Sequence, residues 1–98
     1  PLLSGISTTN AGKAPGAVSM GDFNNDGNTD LAVANEWSNN VHIVPTTGDG
    51  VFGVPVEFPI DGSRPNHITV ADFNGDGVDD IAVSQETTNL ITVLLSNP

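Results

Sequence analysis

Slid fifty positions along itself, this chain meets its own pattern again without a gap. Gly12, Pro15, Val18, Met20, Asp22, Phe23 and Asn24 fall on Gly62, Pro65, Ile68, Val70, Asp72, Phe73 and Asn74. Asp26, Gly27, Asp30, Leu31, Ala32 and Val33 fall on Asp76, Gly77, Asp80, Ile81, Ala82 and Val83. Glu36, Asn39, Val41, Ile43 and Val44 then fall on Glu86, Asn89, Ile91, Val93 and Leu94. This is a duplicated structural unit, and repeated units of this size bury their apolar faces against one another.

Within each unit, "AVSMGDF" or "HITVADF" leads into an acidic loop, and "LAVA" or "IAVS" leads out of it. The exit runs are too short for helices, flanked by Asp and Asn, and apolar on both faces. Each reads as a strand held between two layers. "NVHIVPT" and "NLITVLL" read as third strands after an Asn-containing turn. "PVEFPI" reads as a fourth, introduced by the Gly-rich "TGDGVFG" and interrupted by Pro as an outer edge strand would be. Eleven Gly and seven Pro along the chain fit frequent turns. Four antiparallel strands in about fifty residues is the size of one β-propeller blade.

The expected fold is therefore all-β: two four-stranded antiparallel blades in one propeller segment, residues 1–98. Residues 1–11 are expected to be a degenerate outer strand and 12–61 the first repeat. Residues 62–98 form the second repeat, without its outer strand.

The loops "DFNNDGNTD" and "DFNGDGVDD" carry oxygen donors at positions 1, 3, 5 and 9, with Gly at position 6. These are Asp22, Asn24, Asp26 and Asp30 in the first loop, and Asp72, Asn74, Asp76 and Asp80 in the second. Position 7, Asn28 or Val78, adds a backbone carbonyl. Three carboxylates, an amide and a carbonyl suit Ca²⁺, which takes about 6–8 oxygen ligands. Zinc would call for His or Cys, and magnesium for a tighter octahedron. An EF-hand needs Glu at position 12 and flanking helices, whereas Val33 and Val83 stand there. Asp79, beside the ninth-position ligand, is expected to face solvent.

Charge supports the same reading. The net charge is −10, from twelve acids against Lys13 and Arg64. Seven of those acids lie in or beside the two loops. Such crowding of like charge opposes folding unless a cation sits among it. The balance excludes nucleic acid and anionic membrane as partners. No apolar run approaches the ~20 residues that span a bilayer, so no membrane insertion is expected. Leu2–Leu3 is too short and uncharged to be a signal peptide. Without cysteine there is neither disulfide nor thiolate chemistry.

The stretch "VFGVPVEFPIDGSRPNHITVADFNGDGVDDIAVS" resembles the FG-GAP or VCBS-type repeat of integrin-like β-propellers and many bacterial extracellular proteins. Phe52–Gly53 supplies the Phe-Gly pair, Gly12–Pro15 and Gly62–Pro65 the Gly-x-x-Pro, and the acidic loop occurs twice. The resemblance covers nearly the whole chain; residues 1–11 lack the Phe-Gly pair. It implies two calcium ions per chain bracing the blades, a structural, adhesive or interaction role, and an extracellular or cell-surface location.

No catalytic constellation is legible, and a non-enzymatic protein is expected. His42 pairs with Thr92 and His67 with Ala17 in the repeat, so neither histidine recurs. There is no Gly-x-Ser-x-Gly elbow and no phosphate loop. Asp79–Asp80 is explained by the metal loop better than by acid–base work. The alternative function is a propeller lectin, with carbohydrate stacking on Trp37 beside Asn39 and Asn40. As partners, a glycan or protein ligand is expected, together with further blades. Those blades come from a homo-oligomer, trimer or tetramer, that completes the ring, or from the rest of a longer propeller. In the oligomer, residues 1–11 of one chain would supply the fourth strand missing from the last blade of the next.

Overall fold

The computed structural model describes residues 9–47, 50–60 and 63–97. Seven strands follow one another: β1 (Pro15–Gly21), β2 (Asp30–Asn35), β3 (Asn40–Val44), β4 (Val56–Pro59), β5 (Pro65–Ala71), β6 (Asp80–Gln85) and β7 (Leu90–Leu94). They form two antiparallel meanders, β1-β2-β3-β4 and β5-β6-β7. No helix occurs among the described residues. The all-β expectation holds, and "PVEFPI" does form the exposed outer strand β4. Most of the expected outer strand in residues 1–11 lies outside the described residues, and residues 9–11 are not in a strand.

The fifty-residue period extends to the backbone. Ala17↔Ala34 and Met20↔Leu31 in the first sheet recur as His67↔Ser84 and Val70↔Ile81 in the second. A register shift after Pro15 recurs after Pro65. Left-handed φ values at Ala14, Asn25, Gly27 and Asn39 recur at Arg64, Gly75, Gly77 and Asn89.

Alternation along the strands gives each sheet two faces. The first sheet lays Ala32, Val41 and Ile43 toward the second, which answers with Ile68, Val70, Ile81, Val83 and Leu94. Phe23, from the first acidic loop, closes the top of this cluster. The core therefore lies between the sheets, and β2 and β6 are the most buried strands. The seam accounts for one apolar face of "LAVA" and "IAVS", through Ala32 on β2 and Ile81 and Val83 on β6.

Three ties reinforce the seam. Arg64 donates its backbone N–H to Asn39 Oδ1 at 3.0 Å, and its guanidinium Nε–H to Glu36 Oε1 at 3.1 Å. Glu36 thereby holds the Arg64 pKa above its ordinary value, by hydrogen bond first and charge second. Asp22 donates its N–H to Asp79 Oδ2 at 2.8 Å. Asp79 thus departs from the solvent-facing position expected of it. It is half-buried against the other sheet, because the seam runs past the second loop.

Candidate metal centre

Each acidic loop bridges the first two strands of its sheet, and its own carboxylates shape it. Asp22 Oδ1 accepts the Asp26 N–H at 3.2 Å and Oδ2 the Gly27 N–H at 2.9 Å. Asp26 Oδ1 accepts the Asn28 N–H at 2.9 Å. The second loop repeats this. Asp72 takes the N–H groups of Gly75, Asp76 and Gly77, and Asp76 takes that of Val78. The Gly77 amide, then those of Gly75 and Asp76, hold the Asp72 carboxyl below its ordinary pKa. Gly27 and Gly77 sit at φ +83° and +84°, a conformation that explains the glycine at position 6.

The ninth-position carboxylates are the anchors. Asp30 is buried, and accepts the Phe23 N–H at 3.1 Å and the Thr46 N–H at 3.2 Å. Asp80 is also buried, and accepts those of Phe73 at 2.9 Å and Ser96 at 2.8 Å. Each draws three segments together: the loop entry, the second strand and the end of the third.

The folding of the loops brings Asp22, Asp26 and Asp30 together so that one carboxylate oxygen from each lies within 4.8 Å of the others. Asp72, Asp76 and Asp80 do the same. The ion pair among the described residues joins Arg64 to Glu36, so among those residues no loop carboxylate has a protein cation within salt-bridge reach. Three converging, uncompensated carboxylates form a hard-oxygen donor set that fits Ca²⁺. Asn24 is exposed at the loop rim, while Asn74 Oδ1 accepts the Asp76 N–H at 3.4 Å. Asn28 is half-buried and Val78 buried at position 7.

Two residues escaped the sequence reading. Thr46 Oγ1 donates to the Thr29 carbonyl at 2.6 Å, and Ser96 Oγ donates to the Asp79 carbonyl. With their N–H groups on Asp30 and Asp80, they clamp the loop exit twice. The fifty-residue alignment could have found them, since it pairs Thr46 with Ser96. The Phe-Gly motif adjoins the same clamp: Phe52 bridges to Thr46, and the Gly53 N–H donates to the Pro45 carbonyl at 2.7 Å.

The residues considered for carbohydrate are divided. Trp37 is 74% exposed. Asn40 is buried, its Oδ1 accepting from Asn35 Nδ2 at 2.9 Å and from Ser38 Oγ at 3.0 Å. Asn39 Oδ1 holds the Arg64 N–H at the seam.

A family model described as FG-GAP-like repeat matches residues 6–83, taking in both acidic loops. No curated protein and no solved structure matches the chain significantly. With the match covering more than half of its length, the chain belongs to the FG-GAP-like repeat family.

Proposed function

We propose that this chain is a calcium-braced, non-catalytic pair of β-propeller blades with a structural, adhesive or interaction role outside the cell. The observation that carries the reading is the twofold convergence of three aspartates, on loops already folded around them, with no cation of the described residues in reach. Asp22, Asp26 and Asp30 would hold one ion, with Asn24 and the Asn28 carbonyl. Asp72, Asp76 and Asp80 would hold the other, with Asn74 and the Val78 carbonyl. The ion supplies charge neutralisation and a rigid link between loop entry and exit. Calcium modules outside cells bind at ~10⁻⁴–10⁻³ M, which suits an extracellular or cell-surface setting. No helix among the described residues is long and apolar enough to cross a membrane. Calcium titration by calorimetry tests the reading: two sites are expected in the whole chain and one in Asp26→Ala or Asp76→Ala. Absence of binding in the unaltered chain would overturn it.

The blades are proposed to stack on further blades. Phe23 is 8% exposed inside the seam, whereas its repeat partner Phe73 is 47% exposed. Val41 is fully buried and its partner Ile91 is 74% exposed. The second sheet thus turns outward the same face that the first sheet buries. A second copy in a trimeric or tetrameric ring, or the next blade of a longer chain, fits there. The exposed Trp37 favours a second reading, contact with a glycan or protein ligand. With the Oδ1 atoms of Asn39 and Asn40 engaged internally, that contact centres on the indole. Unchanged glycan-array binding in Trp37→Ala would dismiss it.

A further inference from the structure

The two units differ where they touch. Position 8 of the acidic loop is Thr29 in the first unit and Asp79 in the second. The residue just before the loop is Gly21 in the first and Ala71 in the second. Asp79 reaches across the seam to accept the Asp22 N–H at 2.8 Å. A Cβ at position 21 would lie 3.0 Å from Asp79 Oδ2 and 2.9 Å from both Val70 Cγ1 and Phe23 Cζ. Gly21 is what admits the carboxylate. Asp79 is fixed on its other side too, since its carbonyl accepts from Ser96 Oγ at the end of β7. Its neighbours Val78 and Asp80 are both buried.

We infer that Asp79 is a positioning residue that links the two loops, presenting its carboxylate to the Asp22 amide and so fixing the first ligand of the first loop. The linkage rests on the calcium reading of both loops; the positioning contact exists without the ion. Order in the second loop holds Asp79, because Asp80 and the position-7 carbonyl flank it directly. Asp79 in turn restrains Asp22, whose two carboxylate oxygens organise the first loop. Filling the second loop therefore raises the affinity of the first, and by reciprocity the first raises the second by the same factor. Thr29 offers no such carboxylate, so the link runs through this one seam contact.

The test uses the full chain, CaCl₂ as the probe, and the backbone amide resonances of Gly27 and Gly77 to follow each loop separately. Disabling the second loop with Asp76→Ala is expected to weaken calcium binding at Gly27 by about fivefold or more, the lower end of common site–site coupling. In Asp79→Ala, adding Asp76→Ala should leave binding at Gly27 unchanged. Asp79→Asn keeps an acceptor oxygen and should retain most of the coupling. In chelator, hydrogen exchange at the Asp22 amide should be faster in Asp79→Ala than in the unaltered chain or in Asp79→Asn. Unchanged Asp22 exchange in Asp79→Ala would overturn the positioning role. Equal weakening at Gly27 with and without Asp79 would overturn the linkage. No calcium response at Gly27 or Gly77 in the unaltered chain would instead remove the calcium reading, and the linkage with it.

Discussion

Asp30 and Asp26 sit in one loop and are both candidate ligands, yet their surroundings give them different work. Asp30 is buried and answers two backbone N–H groups, whereas Asp26 is exposed and answers one. Removing a buried acceptor leaves its donors unsatisfied, at about 1–3 kcal/mol. Asp30→Ala and Asp80→Ala should therefore lower stability even in chelator. Asp26→Ala and Asp76→Ala should leave the chelated protein within about 0.5 kcal/mol of the parent, as exposed substitutions usually do. Urea unfolding of the four variants with and without calcium separates the two classes. The spacing of the aspartates in the sequence was enough to single out the carboxylates that the folded loops bring together. It was not enough to place Asp79, because its contact is made by the neighbouring unit and its repeat partner Thr29 gives no hint. Gly21 was hidden for the same reason: its need for close approach exists only once two sheets have packed. Gly21→Ala should destabilise by about 1–3 kcal/mol, as overpacking does. An equal stability for Gly21→Ala would show that the seam is looser than described.

Each loop is an element that folds around its first aspartate and is then pinned at its exit. The internal N–H bonds to Asp22 and Asp72 give both loops their shape from protein groups alone. A preshaped loop spends less ordering entropy on binding. The hydroxyls of Thr46 and Ser96 complete the pin from the far side of the third strand. Thr46→Val and Ser96→Ala should each lose about 0.5–1.5 kcal/mol, the net worth of one hydrogen bond. Calcium affinity should fall with them, since the ninth-position anchor loosens. Calorimetry checks both effects, and unaltered affinity would confine these residues to stability. Strand order was legible in the sequence because a two-layer burial pattern, Pro-marked edges and Gly-rich turns all agree. The hydroxyl clamp carried only a weak signal, a Thr–Ser pair at the frayed end of the alignment.

At the scale of the molecule, one seam is made and its two partner faces remain outward. Val18 and Met20 are 64% and 65% exposed on one side, against Phe73, Ile91 and Val93 on the other. Between β4 and β7 lies an apolar cleft of about 590 Å³, lined by Phe58, Val93 and Leu94 among others, where, among the described residues, the first sheet has an outer strand and the second has none. An exposed β7 edge beside such a cleft invites strand addition. Light scattering should show self-association that Ile91→Asp abolishes while the circular dichroism stays unchanged. A monomer at micromolar concentration would rule out the ring built from copies of this chain. The repeat made two stacked units legible, but which face each leaves open depends on packing geometry.

Calcium-dependent thermal unfolding separates an ion-braced fold from one held by protein contacts alone. At a hundredfold excess over the dissociation constant, one site adds about 2.7 kcal/mol. For a domain of this size that corresponds to a rise of roughly 10–20 °C in Tm. A rise of at least this size is expected between chelator and saturating calcium, reduced in Asp26→Ala or Asp76→Ala and absent when both are combined. A Tm that is the same in chelator and in saturating calcium would rule out calcium bracing.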